Sequence, residues 1–198
     1  MGSETDRAAV VAGLPAENKA FIEQLRTKYN VPPATKATFF SSQIRSQQLF
    51  AEQIDAVLGS SADAFAAGIG LPASVIQRAA QCGKFTISLV GSAKHAVAAK
   101  TAGVDLIVAQ GADAGGHTGP IGTYSLVPQV VEAAGDVPVL AAGGVGHGRH
   151  IAAAFGLGAQ GVWLGTAWLT SREHAFNEIL LRQVLAARGE DTVISKSH

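Results

Sequence analysis

The segment "AQGADAGGHTGP", residues 109–120, combines residue types that a binding or catalytic loop needs. It holds four glycines, the single carboxylate of Asp113, and His117, which follows a Gly-Gly step. Glycine lets the backbone approach a ligand closely, and an imidazole with a pKa of about 6.5 exchanges a proton near neutral pH. Directly behind an apolar run, this combination favours a catalytic role for His117 over a histidine that only caps a glycine turn.

Two further glycine-bearing segments follow later apolar runs. Gly143 and Gly144 precede a predicted helix, and Gly165 and Thr166 offer backbone amides together with a hydroxyl. Amides at a helix N-terminus bind phosphate. The dinucleotide fingerprint G-x-G-x-x-G is excluded, because its third position, counted from Gly144, falls on Arg149. The pattern favours a mononucleotide phosphate after two successive strands over ordinary glycine turns.

From about residue 62 the chain alternates between short apolar runs and alanine-rich stretches. Nearly continuous apolar runs predict buried parallel strands, and the alternation predicts βα units. The predicted strands are 62–69, 85–90, 104–109, 137–142 and 161–165, and the predicted helices are 73–80, 93–102, 125–134, 150–157 and 174–188. The fold class is therefore α/β, either a doubly wound sheet or a barrel, and both place ligands at the carboxyl ends of the strands.

The first 60 residues have a different pattern. Apolar residues at helical spacing predict one helix at 17–29, before Val31-Pro32-Pro33, and a second at 43–58, before Gly59. Residues 38–42 are compatible with a short strand without deciding it. We therefore expect a helical segment over 1–60, followed by an α/β domain over 61–198.

Composition excludes several classes of function. The chain of 198 residues is 47% hydrophobic and carries 15 acidic and 15 basic residues, so nucleic acid is not an expected partner. No apolar stretch approaches the roughly 20 residues that span a bilayer, and the N-terminus has no signal-peptide core. The lone Cys82 cannot form an internal disulfide, which is typical of a cytoplasmic protein. His147 and His150 lack a third ligand, so no metal is expected.

Three ordered motifs, "AQGADAGGHTG", "PVLAAGGVG" and "GAQGVWLGTAWL", resemble those of the nitronate monooxygenase family, FMN enzymes built on a TIM (β/α)8 barrel. The resemblance covers the chain from about residue 62 and implies that His117 faces the substrate. It also implies that FMN is bound by Gln110, Gly115 and Gly116 at the flavin and by Ala142, Gly143, Gly144, Gly165 and Thr166 at the phosphate. Asp113 stands where the family usually has glutamate.

The resemblance implies that FMN and dioxygen convert an alkyl nitronate to a carbonyl compound and nitrite. Two alternatives stay open: the FMN-dependent enoyl-acyl-carrier-protein reductase, a close relative with similar motifs, and a non-catalytic fragment that lacks flavin. Only five of the family's eight strands are visible, so we expect an incomplete barrel of about five C-terminal βα units, truncated at both ends. An open apolar edge of this kind favours association between copies of the chain.

Overall fold

The computed structural model describes residues 11–33, 47–68, 72–175 and 177–195. The chain divides into two compact units, Met1–Gly59 and Ser60–His198. The short strand considered at 38–42 and the first four residues of the helix predicted at 43–58 lie outside the described residues, as does the last residue of the strand predicted at 62–69.

The first unit contributes helices α1 (Ala16–Lys28) and α2 (Gln47–Leu58). Both lie close to the ranges predicted from helical spacing. After α1 the backbone of Asn30 turns into the left-handed region at φ 47°, a conformation that asparagine tolerates at helix ends. Pro32 and Pro33 then prevent the helix from continuing.

The second unit is a parallel sheet whose strands are connected by helices. Its strands are β1 (Ala64–Ala67), β2 (Phe85–Val90), β3 (Leu106–Gln110), β4 (Val139–Ala142) and β5 (Gly161–Trp163). Its helices are α3 (Ala73–Gln81), α4 (Ala93–Ala102), α5 (Thr123–Ala134), α6 (Gly148–Gly156) and α7 (Glu178–Ala186), with 3-10 helices at Thr166–Thr170 and Gly189–Asp191.

The order of the strands decides between the two predicted architectures. In a doubly wound sheet the strand order reverses at a switch point, whereas successive right-handed units of a barrel add each strand beside the previous one. Here the order is β1-β2-β3-β4-β5, and all four neighbouring pairs are parallel. The second unit is therefore a partial (β/α)8-type barrel of the α/β class.

The core of this unit lies between the sheet and its helices. Ile107 of β3 packs in one cluster with Leu126, Val127 and Val130 of α5, and all four side chains are fully buried. Burial of each such side chain contributes about 1.5–3 kcal/mol. This packing fixes β3 to α5, the two elements that flank residues 111–122, the segment that carries His117.

In the second unit, three of the described helices begin at residues other than those predicted. Helix α5 begins at Thr123 rather than at 125, because the Asp113 carboxylate accepts a hydrogen bond from Thr123 N–H. Helix α6 begins at Gly148 rather than at 150, because the His147 side chain accepts a hydrogen bond from Arg149 N–H. Helix α7 begins at Glu178 rather than at 174, since Asn177 caps it through a hydrogen bond from Ile179 N–H.

Candidate active site

The residues that the sequence assigns to the site lie at the carboxyl ends of β3, β4 and β5. Gln110 is the last residue of β3 and stands beside Ala142, the last residue of β4. Gly165 and Thr166 follow β5, where Thr166 begins a 3-10 helix. Since parallel strands end at one edge of a sheet, three segments far apart in sequence meet there.

The segment after β3 reaches the segment after β5. A Cβ atom built on Gly115 would lie 3.5 Å from Thr166 Oγ1, so a side chain at position 115 would be in van der Waals contact with the threonine hydroxyl. Gly116 has φ 82°, a conformation that glycine adopts without steric cost. His117 follows this turn and is exposed.

Gly143 and Gly144, which follow β4, pack against the same segment. Both have positive φ, 107° and 69°. A Cβ atom at Gly143 would lie 3.0 Å from the Ala114 nitrogen, and one at Gly144 would lie 3.2 Å from the Asp113 Cβ. Close packing of two backbones therefore requires glycine here, in addition to any role in binding phosphate.

Several donors at this edge are available to an anion. The N–H groups of Gly144, Gly165 and Thr166 have no hydrogen-bond partner among the described residues. The same is true of the Thr166 hydroxyl. These groups lie after β4 and β5, at the positions that the sequence assigns to the phosphate.

The two histidines at the start of α6 act as hydrogen-bond acceptors. Gly146 N–H donates to Nδ1 of His150, and Arg149 N–H donates to Nδ1 of His147, each with an N–N distance of 3.1 Å. Their rings are 6.1 Å apart in an edge-to-face arrangement. Among the described residues, no group of three or more His, Cys, Asp or Glu side chains is arranged to hold a metal ion.

Asp113 joins the segment after β3 to helix α5. Its Oδ2 accepts a hydrogen bond from Thr123 N–H at 2.6 Å, and this bond holds the pKa of the Asp113 carboxyl below its ordinary value of 3.8. Gly122, the N-cap residue of α5, offers no side chain. Asp113 therefore caps the helix from ten residues upstream, which explains why α5 begins at Thr123.

This capping role of Asp113 was not predicted from the sequence. A helix preceded by glycine alone, with one carboxylate in the preceding segment, is the pattern that could have indicated it. Thr123 adds a second connection, because its hydroxyl donates to the Ala142 carbonyl at 3.3 Å.

The turn that carries His117 is held at both ends. Gln110 Nε2 donates to the His117 carbonyl at 3.4 Å. At the other end, Gly119 packs against Gly91, since a Cβ atom at Gly119 would lie 2.8 Å from the Gly91 carbonyl oxygen. Across the parts of the chain that the structure describes, the His117 imidazole has no hydrogen-bond partner, so it is free to meet a ligand.

A cavity of about 670 Å³ opens beside His117. It is lined by Ala73, Ile76, Ser88, Leu89, Val90, Gly91, His95, Ala98, Ala99, Ala102, Gln110, His117, Thr118 and Gly119. Its volume falls in the range of small-molecule sites, about 300–1,000 Å³.

The sequence model of the nitronate monooxygenases matches residues 8–198. The chain belongs to the nitronate monooxygenase family, a family of oxidoreductases. It is 40% identical over 188 residues to the Mycobacterium tuberculosis protein Rv1533, assigned to the monooxygenases, covering 93% of this chain and 50% of that protein. It is 37% identical over 166 residues to a Staphylococcus aureus protein assigned as a nitronate monooxygenase, and the match covers 78% of this chain and 46% of that protein. The chain thus spans about half the length of the curated relatives it matches.

Two solved structures have a similar fold. FabK from Thermotoga maritima superposes with a TM-score of 0.70 at 29% identity, covering 92% of this chain and 56% of that one. Nitroalkane oxidase from Streptomyces ansochromogenes superposes with a TM-score of 0.62 at 33% identity, covering 67% of this chain and 42% of that one. The α/β class, the partial barrel and the family predicted from the three motifs are confirmed. Among the helices that the structure describes, none is long and apolar enough to cross a membrane.

Proposed function

We propose that this family member is an FMN-dependent enzyme that uses dioxygen to oxidise alkyl nitronates to a carbonyl compound and nitrite. The observation that carries the proposal is the approach of Gly115 to Thr166 Oγ1, at 3.5 Å for a Cβ built on the glycine, beside the turn that presents His117. Family membership and the likeness to nitroalkane oxidase support it.

The residues present fit a flavin mononucleotide. The amides of Gly144, Gly165 and Thr166, with the Thr166 hydroxyl, would hold the phosphate, because they are donors without partners among the described residues. Ala142 and Gly143 would lie beside that phosphate without bulky side chains. Gln110, Gly115 and Gly116 would lie against the flavin ring. When bound, the flavin accepts the electrons that leave the substrate.

His117 would act on the substrate itself. Its imidazole is exposed and lacks a hydrogen-bond partner within the described ranges, so it could hold the nitronate anion as an imidazolium. As a neutral base it could remove the acidic α-proton of a nitroalkane. Gln110 would position the turn by donating to the His117 carbonyl.

We also propose the setting in which this chemistry takes place. Residues 61–198 would form the flavin-binding part and residues 1–60 a separate helical segment, with a nitronate and dioxygen as the reaction partners. The exposed free thiol of Cys82 suits a reducing compartment, so we place the protein in the cytoplasm.

The test is flavin binding followed by turnover. The purified chain, incubated with FMN, should show bound-flavin absorbance and release nitrite from propyl nitronate with uptake of dioxygen. His117→Ala should keep the flavin and lower kcat/KM roughly 10²–10⁴-fold, the usual contribution of a general acid or base. His174→Ala, in the turn before α7, is the matched control. Unchanged kcat/KM in His117→Ala would contradict the role of His117.

The likeness to FabK supports a second candidate, the FMN-dependent enoyl-acyl-carrier-protein reductase, since FabK superposes with the higher TM-score. Oxidation of NAD(P)H with an enoyl thioester, without nitrite release from nitronates, would favour the reductase. A chain that takes up no FMN would contradict both enzymes and leave the non-catalytic fragment.

A further inference from the structure

The cavity beside His117 extends away from the residues assigned to the flavin and runs between α3 and α4. Its floor is formed by Ile76, Val90 and Ala99, which are all buried. Ala98 and Ala102 form the wall on the side of α4. We call this part of the cavity the α3–α4 groove.

The groove extends along most of helix α4. Helix α4 runs antiparallel to the strands, so its first turn lies near His117 and its last turn near the opposite end of the sheet. Seven residues separate His95 from Ala102, both of which line the cavity, and at 1.5 Å per residue they span about 10 Å. The groove therefore continues well past the site of chemistry.

The lining of the groove matches an aliphatic chain. Alanine methyl groups and branched apolar side chains form its floor and wall, whereas the titratable side chains of the lining, His95 and His117, belong to the end near the site. Sites for small molecules are mostly apolar, with a few polar groups that fix orientation. Here His117 and Gln110 supply those polar groups at the end near the site, and Ser88 of β2 adds one hydroxyl to an otherwise apolar floor.

We propose that the α3–α4 groove holds the aliphatic chain of the substrate, with its nitronate headgroup at His117. The inference deepens the proposed function and rests on it for the identity of that headgroup. It assigns the enzyme to nitronates with extended alkyl chains, because a short nitronate leaves the groove between Ala98, Ala102 and the floor unfilled.

Filling the groove should therefore change chain-length preference. Ala98→Leu and Ala102→Leu place larger side chains in it; Ala98 is exposed, whereas Ala102 is half-buried against the core, so Ala98→Leu is the variant that leaves the core packing untouched. We expect kcat/KM for octyl nitronate to fall about tenfold or more, the usual effect of altering a hydrophobic pocket, while kcat/KM for ethyl nitronate is kept. Thr101→Leu adds a similar side chain at an exposed position of α4 outside the groove, and it should change neither value. Equal effects on both substrates, or none, would overturn the inference.

A binding measurement separates this inference from the proposed function. Octanoate has a planar carboxylate with the charge and shape of a nitronate, so it should shift the NMR signals of the Ala98 and Ala102 amides in the full chain. Ala98→Leu should abolish those shifts. Octanoate binding without nitrite release from any nitronate would support the groove and contradict nitronate oxidation. Absence of the shifts in the unsubstituted chain would overturn the groove, whatever the activity.

Discussion

The carboxylate of Asp113 connects the segment that bears His117 to the first residue of α5. It receives the Thr123 N–H at 2.6 Å, and a hydrogen bond to a charged acceptor is roughly twice as strong as a neutral one. A glutamate at this position would carry the carboxylate one methylene farther from the backbone. The shorter side chain suits the close approach of Gly144, whose added Cβ would lie 3.2 Å from the Asp113 Cβ.

Asp113→Asn should lower stability in a way that depends on pH. The folded-state pKa of Asp113 lies below 3.8 because of the Thr123 N–H, so the ionised group stabilises the fold above about pH 4. That contribution is lost as the pH falls through the folded-state pKa. The melting temperature of Asp113→Asn should lie below that of the unsubstituted chain. This difference should be largest at pH 7 and smaller at pH 3. Asp136→Asn, in the turn after α5, is the control, and a difference that does not vary with pH would contradict the role of Asp113.

The elements of the fold follow largely from apolar periodicity, but the starts of α5, α6 and α7 do not. Strand β2 and helix α4 have the boundaries that the sequence predicts, because local pattern is sufficient for them. The start of α5 depends on Asp113, ten residues away, and no local propensity encodes such a contact. The convergence of the site segments was predictable, because parallel strands end at one edge of a sheet. The approach of Gly115 to Thr166 and the α3–α4 groove were not predictable, because they depend on residues that are far apart in the sequence.

Alanine at Gly143 and alanine at Gly146, two positions that follow β4, should have very different effects on stability. At Gly143 an added Cβ would meet Thr123 Oγ1 at 2.6 Å and the Ala114 nitrogen at 3.0 Å, and its φ of 107° disfavours any side chain. Gly143→Ala should lower the free energy of unfolding by about 1–3 kcal/mol, measured by urea denaturation without FMN. Gly146→Ala is the matched control, since a Cβ there meets nothing within 4 Å. Equal stability of the two variants would leave phosphate binding as the reason for glycine at 143.

For the whole molecule we expect association through the sheet edge at β5. Helix α6, which packs beside β5, exposes Ile151 and Phe155 on one face, and exposed apolar patches beside an open edge attract partners. Sedimentation velocity at increasing concentration should show a dimer or a larger species. Phe155→Glu should weaken it, whereas Val97→Glu on α4 should not, although Val97 is almost equally exposed, 52% against 55%. A monomer over the whole concentration range would contradict this expectation.

The contact between Gly91 and Gly119 bears on how the protein could be re-engineered. Because the β2–α4 turn and the end of the His117 segment touch backbone to backbone, neither can be transplanted from a relative without the other. A grafted β2–α4 turn with alanine at position 91 would press on Gly119, since the two residues are in contact in both directions. The two turns therefore form a single exchangeable module, and a library that diversifies one of them should diversify both.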